Sequence, residues 1–345
     1  MNELRIDELI TDDIQTVGIA GHQTPDGDCT GGCMALCLYL QKNHPSLRVD
    51  VFLEPIPDEL HIIRGTEKIR TDFATDVDSY DLFFVIDTAK DRILQAEAYF
   101  DNAKKRVNID HHVSNKGCGD INRVIPGASS VCEVLYGTMD IDKIDDDIAM
   151  ALYIGIVTDT GMFHYSATTP ETMRVAARLM EFSFDHSDVI EHVELARTYS
   201  QHRALGMMLT EAKLYLDGKV ISAYMDKQRM EAEHLRKEDL DQIVSKMNLT
   251  KGVECSVFFY DTKDGRKKGL PASSSSGARS SAAYPQCSVR MFRRRPVRSP
   301  QPPAISDFSA PSPAGALPAD PYSAQASSAS SSFTSCTGRK EPSPV

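Results

Sequence analysis

No apolar run in the 345 residues is long enough to span a membrane. The opening stretch MNELRIDELITDD is acidic and polar, unlike a signal peptide, so the expected location is the cytoplasm. Eight cysteines are present but no C-x-x-C pair, which excludes the common zinc ribbons and gives no disulfide framework. Cys29, Cys33 and Cys37 fall four apart on one face of an expected helix and read as small packing residues in a reducing compartment. Positive charge is also short: 38 Lys and Arg stand against 49 Asp and Glu, a net charge of −11. Such a surface repels long nucleic acid, so a platform for duplex DNA is not expected. A small phosphorylated substrate remains open, because bound cations can supply local positive charge.

What is present suits a soluble globular chain, with 41% hydrophobic and 25% charged residues. The length suggests two domains or one with an appendage. Residues 1–190 alternate strand and helix patterns. TVGIAGH (16–22), LRVDVFL (47–53), DLFFVID (81–87) and RVNID (106–110) read as strands, with a helix from Thr30 to Lys42. After Gly127 the pattern is mainly helical: 129–139, 145–158, 170–182, 186–193 and 199–212. The fold class is therefore α/β, a parallel sheet with helices on both faces. A helical linker (191–212) leads to a smaller, incomplete α/β domain (213–268), with a hairpin at Asp217-Gly218, a helix over 227–247 and a strand over 252–260. Residues 269–345 carry twelve of the 18 prolines, and 8 basic against 3 acidic residues, where the body holds 30 against 46. This Ser/Pro-rich tail is expected to be disordered.

In open parallel sheets ligands gather outside the carboxyl ends of the strands. Three expected strands end here in residues fit to bind metal. The first is followed by His22, Asp26 and Asp28, the third ends at Asp87, and the fourth at Asp110-His111-His112. A further cluster places Asp159 where a helix runs out beside Gly161. Any one cluster is ordinary turn chemistry. Four together bring like charges into one cleft, which repel unless cations neutralise them. Carboxylates with imidazoles and no thiolate suit Mn2+ first and Mg2+ second. Two ions about 3.5–4 Å apart can share one bridging aspartate and polarise a phosphoryl group.

At these residues the sequence resembles the DHH phosphoesterases. The resemblance rests on G-H-Q-T-P-D-G-D-C-T-G-G (21–32), D-T (87–88), D-H-H (110–112) and T-D-T-G-M-F (158–163), in that order, and spans roughly residues 10 to 268. It is greatest to the nanoRNase (oligoribonuclease) and pAp phosphatase branch. That branch degrades very short oligonucleotides, removes the 3′ phosphate of pAp, or cleaves linear pApA derived from cyclic di-AMP. The resemblance implies that His22 and Asp26 bind a first metal and Asp28 a second, with Asp87 bridging both. His111 and Asp159 would complete the second metal. It gives Asp110 the task of orienting an imidazole and His112 that of contacting the phosphate and protonating the leaving group. Ser129, Ser130 and Glu133 match a helix start that the family places near the site, and His164 and Tyr165 follow the last motif. From these, Ser129, Ser130 and His164 are taken as substrate contacts, with helix capping as the plain alternative for the serines. Short single-stranded oligonucleotides or small nucleotides are the implied partners, and a homodimer through the DHH domain is the implied assembly.

The sequence departs from the family after GVECSVFFY, where a further strand and a G-G-G-H loop are expected. DTKDGRKK stands there instead, and no G-G-G-H occurs. A frame shift near Lys268 is the first explanation and a genuine disordered extension the second. Loss of that substrate clamp would weaken turnover. A family II-like inorganic pyrophosphatase and a catalytically weak nucleotide-binding protein are the rival readings.

Overall fold

A computed structural model describes residues 4–240, 242–262 and 266–273. In chain order the elements are α1 (Ile6–Leu9), β1 (Thr16–Ala20), α2 (Gly27–Asn43), β2 (Arg48–Phe52), β3 (Leu82–Ile86), α3 (Ala96–Asp101), β4 (Lys105–Asp110) and β5 (Ile121–Val124). There follow α4 (Val131–Tyr136), α5 (Asp146–Asp159), α6 (Pro170–Leu179), α7 (His186–Ile190), α8 (Tyr199–Glu211), β6 (Lys213–Tyr215) and β7 (Val220–Met225). The last are α9 (Lys227–Ala232), α10 (Ile243–Asn248), β8 (Cys255–Asp261) and β9 (Lys267–Ser273).

β1 to β5 form one parallel sheet in the order β2-β1-β3-β4-β5. Alternate side chains of β3 feed two cores. Leu82, Phe84 and Ile86 pack with α2, α4 and α5 on one face. Phe83 and Val85 pack on the other with Phe52, Tyr80 and the α3 residues Ala96 and Phe100. With helices on both faces β3 is buried throughout, which is why it reads as an unbroken apolar run. The order reverses between β1 and β3. That gap, at the carboxyl ends, is the place where such a sheet opens a crevice for a ligand.

α2 is apolar nearly all round because it is sandwiched between the sheet and α5. The helix begins at Gly27, three residues before the expected start, because the Asp26 side chain caps it by accepting from the Cys29 N–H at 3.1 Å. α5 is capped by Asp145, and α6 and α8 by the capping boxes of Thr169 and Thr198. β5 was not expected from the sequence; INRV is a half-exposed edge strand with too little apolar content to signal itself.

The second sheet runs β6-β7-β8-β9, with β7 and β8 parallel and the outer pairs antiparallel. α8 and α10 cover one of its faces around Met208, Met225, Met247 and Phe258. The β6–β7 hairpin turns through Leu216, Asp217 and Gly218, all with positive φ. The helix expected over 227–247 is broken into α9 and α10, since His234 and Gln242 adopt left-handed backbone that no α-helix accommodates. β9 pairs with β8 as far as Ser273, so the fold continues past Lys268, where the sequence reading ended it. The Ser/Pro-rich tail, with its expected disorder and frame shift, lies outside the described residues from 274 on.

Candidate metal centre

The carboxyl ends of β1, β3 and β4 and the last turn of α5 bring the expected ligands into one buried cluster. Asp87 is its centre. It has φ of 61°, a left-handed backbone that costs energy for a non-glycine residue and that is found where function demands it. Its amide donates to the Ile109 carbonyl at 3.0 Å, which turns the carboxylate across the strand ends. One oxygen, Oδ2, lies 3.3 Å from His22 Nε2; the other, Oδ1, lies 3.3 Å from His111 Nε2.

Two groups of donors meet at this carboxylate. On one side, His22 Nε2 is also 3.6 Å from Asp26 Oδ1. Its Nδ1 donates to the Gln23 carbonyl at 2.9 Å, so the lone pair is on Nε2, facing the carboxylates. On the other side, His111 Nε2 lies 3.5 Å from Asp159 Oδ2 and 3.7 Å from Asp28 Oδ2. Asp28 reaches this position from the first turn of α2 because its oxygens accept from the Val131 and Cys132 N–H groups at 2.6 and 3.0 Å. The start of α4 thus aims a carboxylate that α2 carries.

These residues fit divalent cations. His111 Nε2 and Asp87 Oδ1 are buried and, though close, lack hydrogen-bond geometry with any partner. An imidazole nitrogen enclosed by three carboxylates is stable only if protonated or if a cation lies between them. The electrostatics say the same. Burial opposes the charged ring of His111, yet Asp87 and then Asp28 push its pKa up to about 10. Burial and the neighbouring Asp87 and Asp159 drive the Asp28 carboxyl well above the carboxylate range. Burial also raises Asp87, but His111 and His22 outweigh it and hold that carboxyl below the range.

Asp110 is buried behind the cluster. Its Oδ1 accepts from the His111 and His112 amides and from His112 Nδ1 at 2.8 Å; its Oδ2 accepts from Asn115. The His112 ring therefore carries its Nδ1 proton toward Asp110. At 15% side-chain exposure it is more open than the 7% of His22 and His111.

Ser129 and Ser130, expected as substrate contacts or helix caps, turn their hydroxyls to Glu133. Both are fully buried, Ser129 Oγ donating to Glu133 at 2.6 Å and Ser130 Oγ accepting from the Glu133 amide at 3.0 Å. They shape the start of α4 and reach the cluster only through it. Glu133 also accepts from Thr172 at 2.7 Å, tying α4 to α6. His164 is exposed in the turn after α5, its ring centroid 6.1 Å from that of Tyr165.

Two residues of the site escaped the sequence reading. Asn115 steadies Asp110, a role no local pattern signals. Cys29, read as packing, has its sulfur grouped with the donor atoms of His22 and Asp87, all within 4.8 Å of one another. Its position directly after D-G-D was the available signal.

Residues 16–156 match the DHH family, N-terminal domain. The match covers less than half of the chain, which over this stretch resembles that family. Its curated relatives include the bifunctional oligoribonuclease and PAP phosphatase NrnA of Bacillus subtilis, 26% identical over 256 residues, covering 72% of this chain and 79% of that one. The NrnA of Thermus thermophilus is 27% identical over 166 residues, 48% of this chain and 49% of the relative. A probable NrnA of Streptococcus mutans is 31% identical over 185 residues, 52% of this chain and 56% of the relative. The chain thus spans about half the length of the Thermus and Streptococcus relatives. Among solved structures, an exopolyphosphatase-related protein from Bacteroides fragilis superposes with a TM-score of 0.68 at 23% identity, over 75% of this chain and 79% of that one, and shares the fold. Of the cluster, His22, Asp26, Asp28, Asp87, Asp110, His111 and His112 lie within the matched residues and Asp159 just beyond them. Among the described residues no helix is long and apolar enough to cross a membrane.

Proposed function

We propose that this protein hydrolyses phosphoester bonds in short oligonucleotides or small nucleotides such as pApA and pAp, in the cytoplasm, using two divalent ions with Mn2+ preferred. The observation that carries the reading is Asp87, whose two carboxylate oxygens face His22 on one side and His111 on the other at equal distance. A carboxylate so placed is fit to be shared by two cations.

On this reading His22, Asp26 and Asp87 hold one ion, and Asp87, Asp28, His111 and Asp159 the other. When bound, the ions lower the pKa of a coordinated water and neutralise charge on the phosphoryl oxygens. The chain's own residues do the rest. Gln23 and Ala128 carbonyls fix the tautomers of His22 and His111. The α4 amides hold the Asp28 carboxyl in place beside His111. His112, its Nδ1 held by Asp110 and its ring more open than those of His22 and His111, is the group that would donate to a phosphate or to the leaving oxygen. The division into a DHH domain (1–190), linker (191–212) and smaller substrate domain is part of the same proposal, as are a homodimer and reduced turnover from the missing G-G-G-H loop.

The test is hydrolysis of 5′-pApA by the purified chain in Mn2+, beside Asp87→Asn. AMP release that falls more than about a thousandfold in the variant, with weaker Mn2+ binding, is expected. Equal turnover in the two proteins would remove Asp87 from the centre and end the proposal.

A further inference from the structure

The two donor groups that meet at Asp87 are not chemically alike. Around His111 they are nitrogen and oxygen only: His111, Asp28 and Asp159. Around His22 they include sulfur, because Cys29 brings its thiol among the donor atoms of His22 and Asp87. The thiol is fully buried, and the chain makes room for it. A Cβ at Gly21 would come within 2.2 Å of Cys29 Sγ, so only the bare backbone of glycine lets the sulfur lie beside the end of β1. Asp87, almost wholly buried, turns Oδ2 to this side, 3.3 Å from His22 Nε2, and Oδ1, which lacks a hydrogen-bond partner, to the His111 side. His22, with Nδ1 committed to the Gln23 carbonyl, turns its lone-pair nitrogen toward the carboxylates of Asp26 and Asp87.

We infer that Cys29 is a metal ligand, and that the His22 side of the centre selects a thiophilic divalent cation such as zinc, cobalt or cadmium. The inference rests on the two-metal reading above and deepens it. On binding, the S–H bond breaks, its proton leaves to solvent, and the sulfur electron pair forms the metal–sulfur bond, with no change of oxidation state. Thiolate favours softer ions, whereas the oxygen-rich His111 side suits manganese. The centre is therefore asymmetric, able to hold two different metals, and zinc competes with manganese at one position only.

The experiment is cobalt substitution of the full chain, followed by absorption spectroscopy of wild type, Cys29→Ser, Cys29→Ala and Cys33→Ser. Wild type should show visible ligand-field bands and a near-ultraviolet sulfur-to-cobalt charge-transfer band. Both Cys29 variants should keep the visible bands and lose the ultraviolet one, while Cys33→Ser keeps both. The ratio of cadmium to manganese affinity should fall about tenfold or more in Cys29→Ala. Visible bands without the charge-transfer band in wild type, or a band that survives in Cys29→Ser, would overturn the inference and leave the metal centre standing. Absence of every cobalt band would overturn both. Because the wild-type spectrum alone can refute the idea, failure of the variants to fold would not protect it.

Discussion

The two sheets of this chain carry their charged residues in opposite ways. In the first, the central strands are covered on both faces, so mid-strand positions are mostly apolar, Asp50 and Asn108 aside, and the candidate site lies at the carboxyl ends, at His22, Asp87 and Asp110. In the second, helices cover one face, and burial alternates along β7 and β8. Its polar groups lie along the strands: Asp261 pairs with Lys267 at 3.0 Å and accepts from Tyr224 at 2.8 Å, with the Lys267 ammonium 4.0 Å from the centre of the Tyr224 ring. A sheet buried on both faces concentrates charge at one edge, where it must be neutralised; a half-covered sheet spreads it where water already does so.

Substitutions of matched kind separate the two. The largest effect is expected at the edge of the first sheet. Asp110→Ala removes the acceptor that orients His112 and should lower kcat about a hundredfold, with retained folding by circular dichroism. An unchanged kcat would mean that His112 needs no support.

Next is Asp50 on β2, which is 6% exposed and accepts from Tyr80 at 2.7 Å, from Arg48 at 3.2 Å and from Arg70 at 2.9 Å. Asp50→Asn should cost about 2 kcal/mol in urea unfolding, since an amide cannot satisfy all these donors. The same change at Asp261 in the half-covered sheet should cost less than about 1 kcal/mol. Equal losses would erase the contrast between the sheets.

Between them lies Glu194, in a single π-helical turn at Glu191–Leu195. Burial raises its carboxyl to about 7; Arg197 and Lys246 oppose this and Glu59 adds to it. The folded chain then holds a proton that the unfolded chain releases near pH 4.5, so stability falls as pH rises from 4.5 to 7 and is level above. Glu194→Gln should flatten that slope and raise stability at pH 8 by about 1 kcal/mol. A slope that survives the substitution assigns it to other groups.

The clustered imidazoles and carboxylates were legible because most lie at or just after the end of an apolar strand or helix, and strand ends of a parallel sheet converge. The sheet itself was legible for the same reason. Other features depended on what a local pattern does not hold. β5 is too polar to register, and the break between α9 and α10 depends on positive φ at His234 and Gln242. Ser129 and Ser130, chosen because they match a helix start that the resembled family places near the site, meet Glu133 with their hydroxyls, a contact no local pattern signals. Cys29, Cys33 and Cys37 pack in the core, as their spacing suggests. What the spacing does not hold is that donor atoms of His22 and Asp87 also lie beside the first of the three.

A routine route to a sturdier protein replaces helical glycines with alanine, for a gain of about 1 kcal/mol each. In α5 that recipe would fail. A methyl group at Gly155 would fall 2.2 Å from Cys132 Sγ and 2.8 Å from Asp28 Oδ1. It would press on a carboxylate carried by another helix and on the α4 residue whose amide holds it, so thermal tolerance gained in α5 would be taken from the alignment of the metal centre.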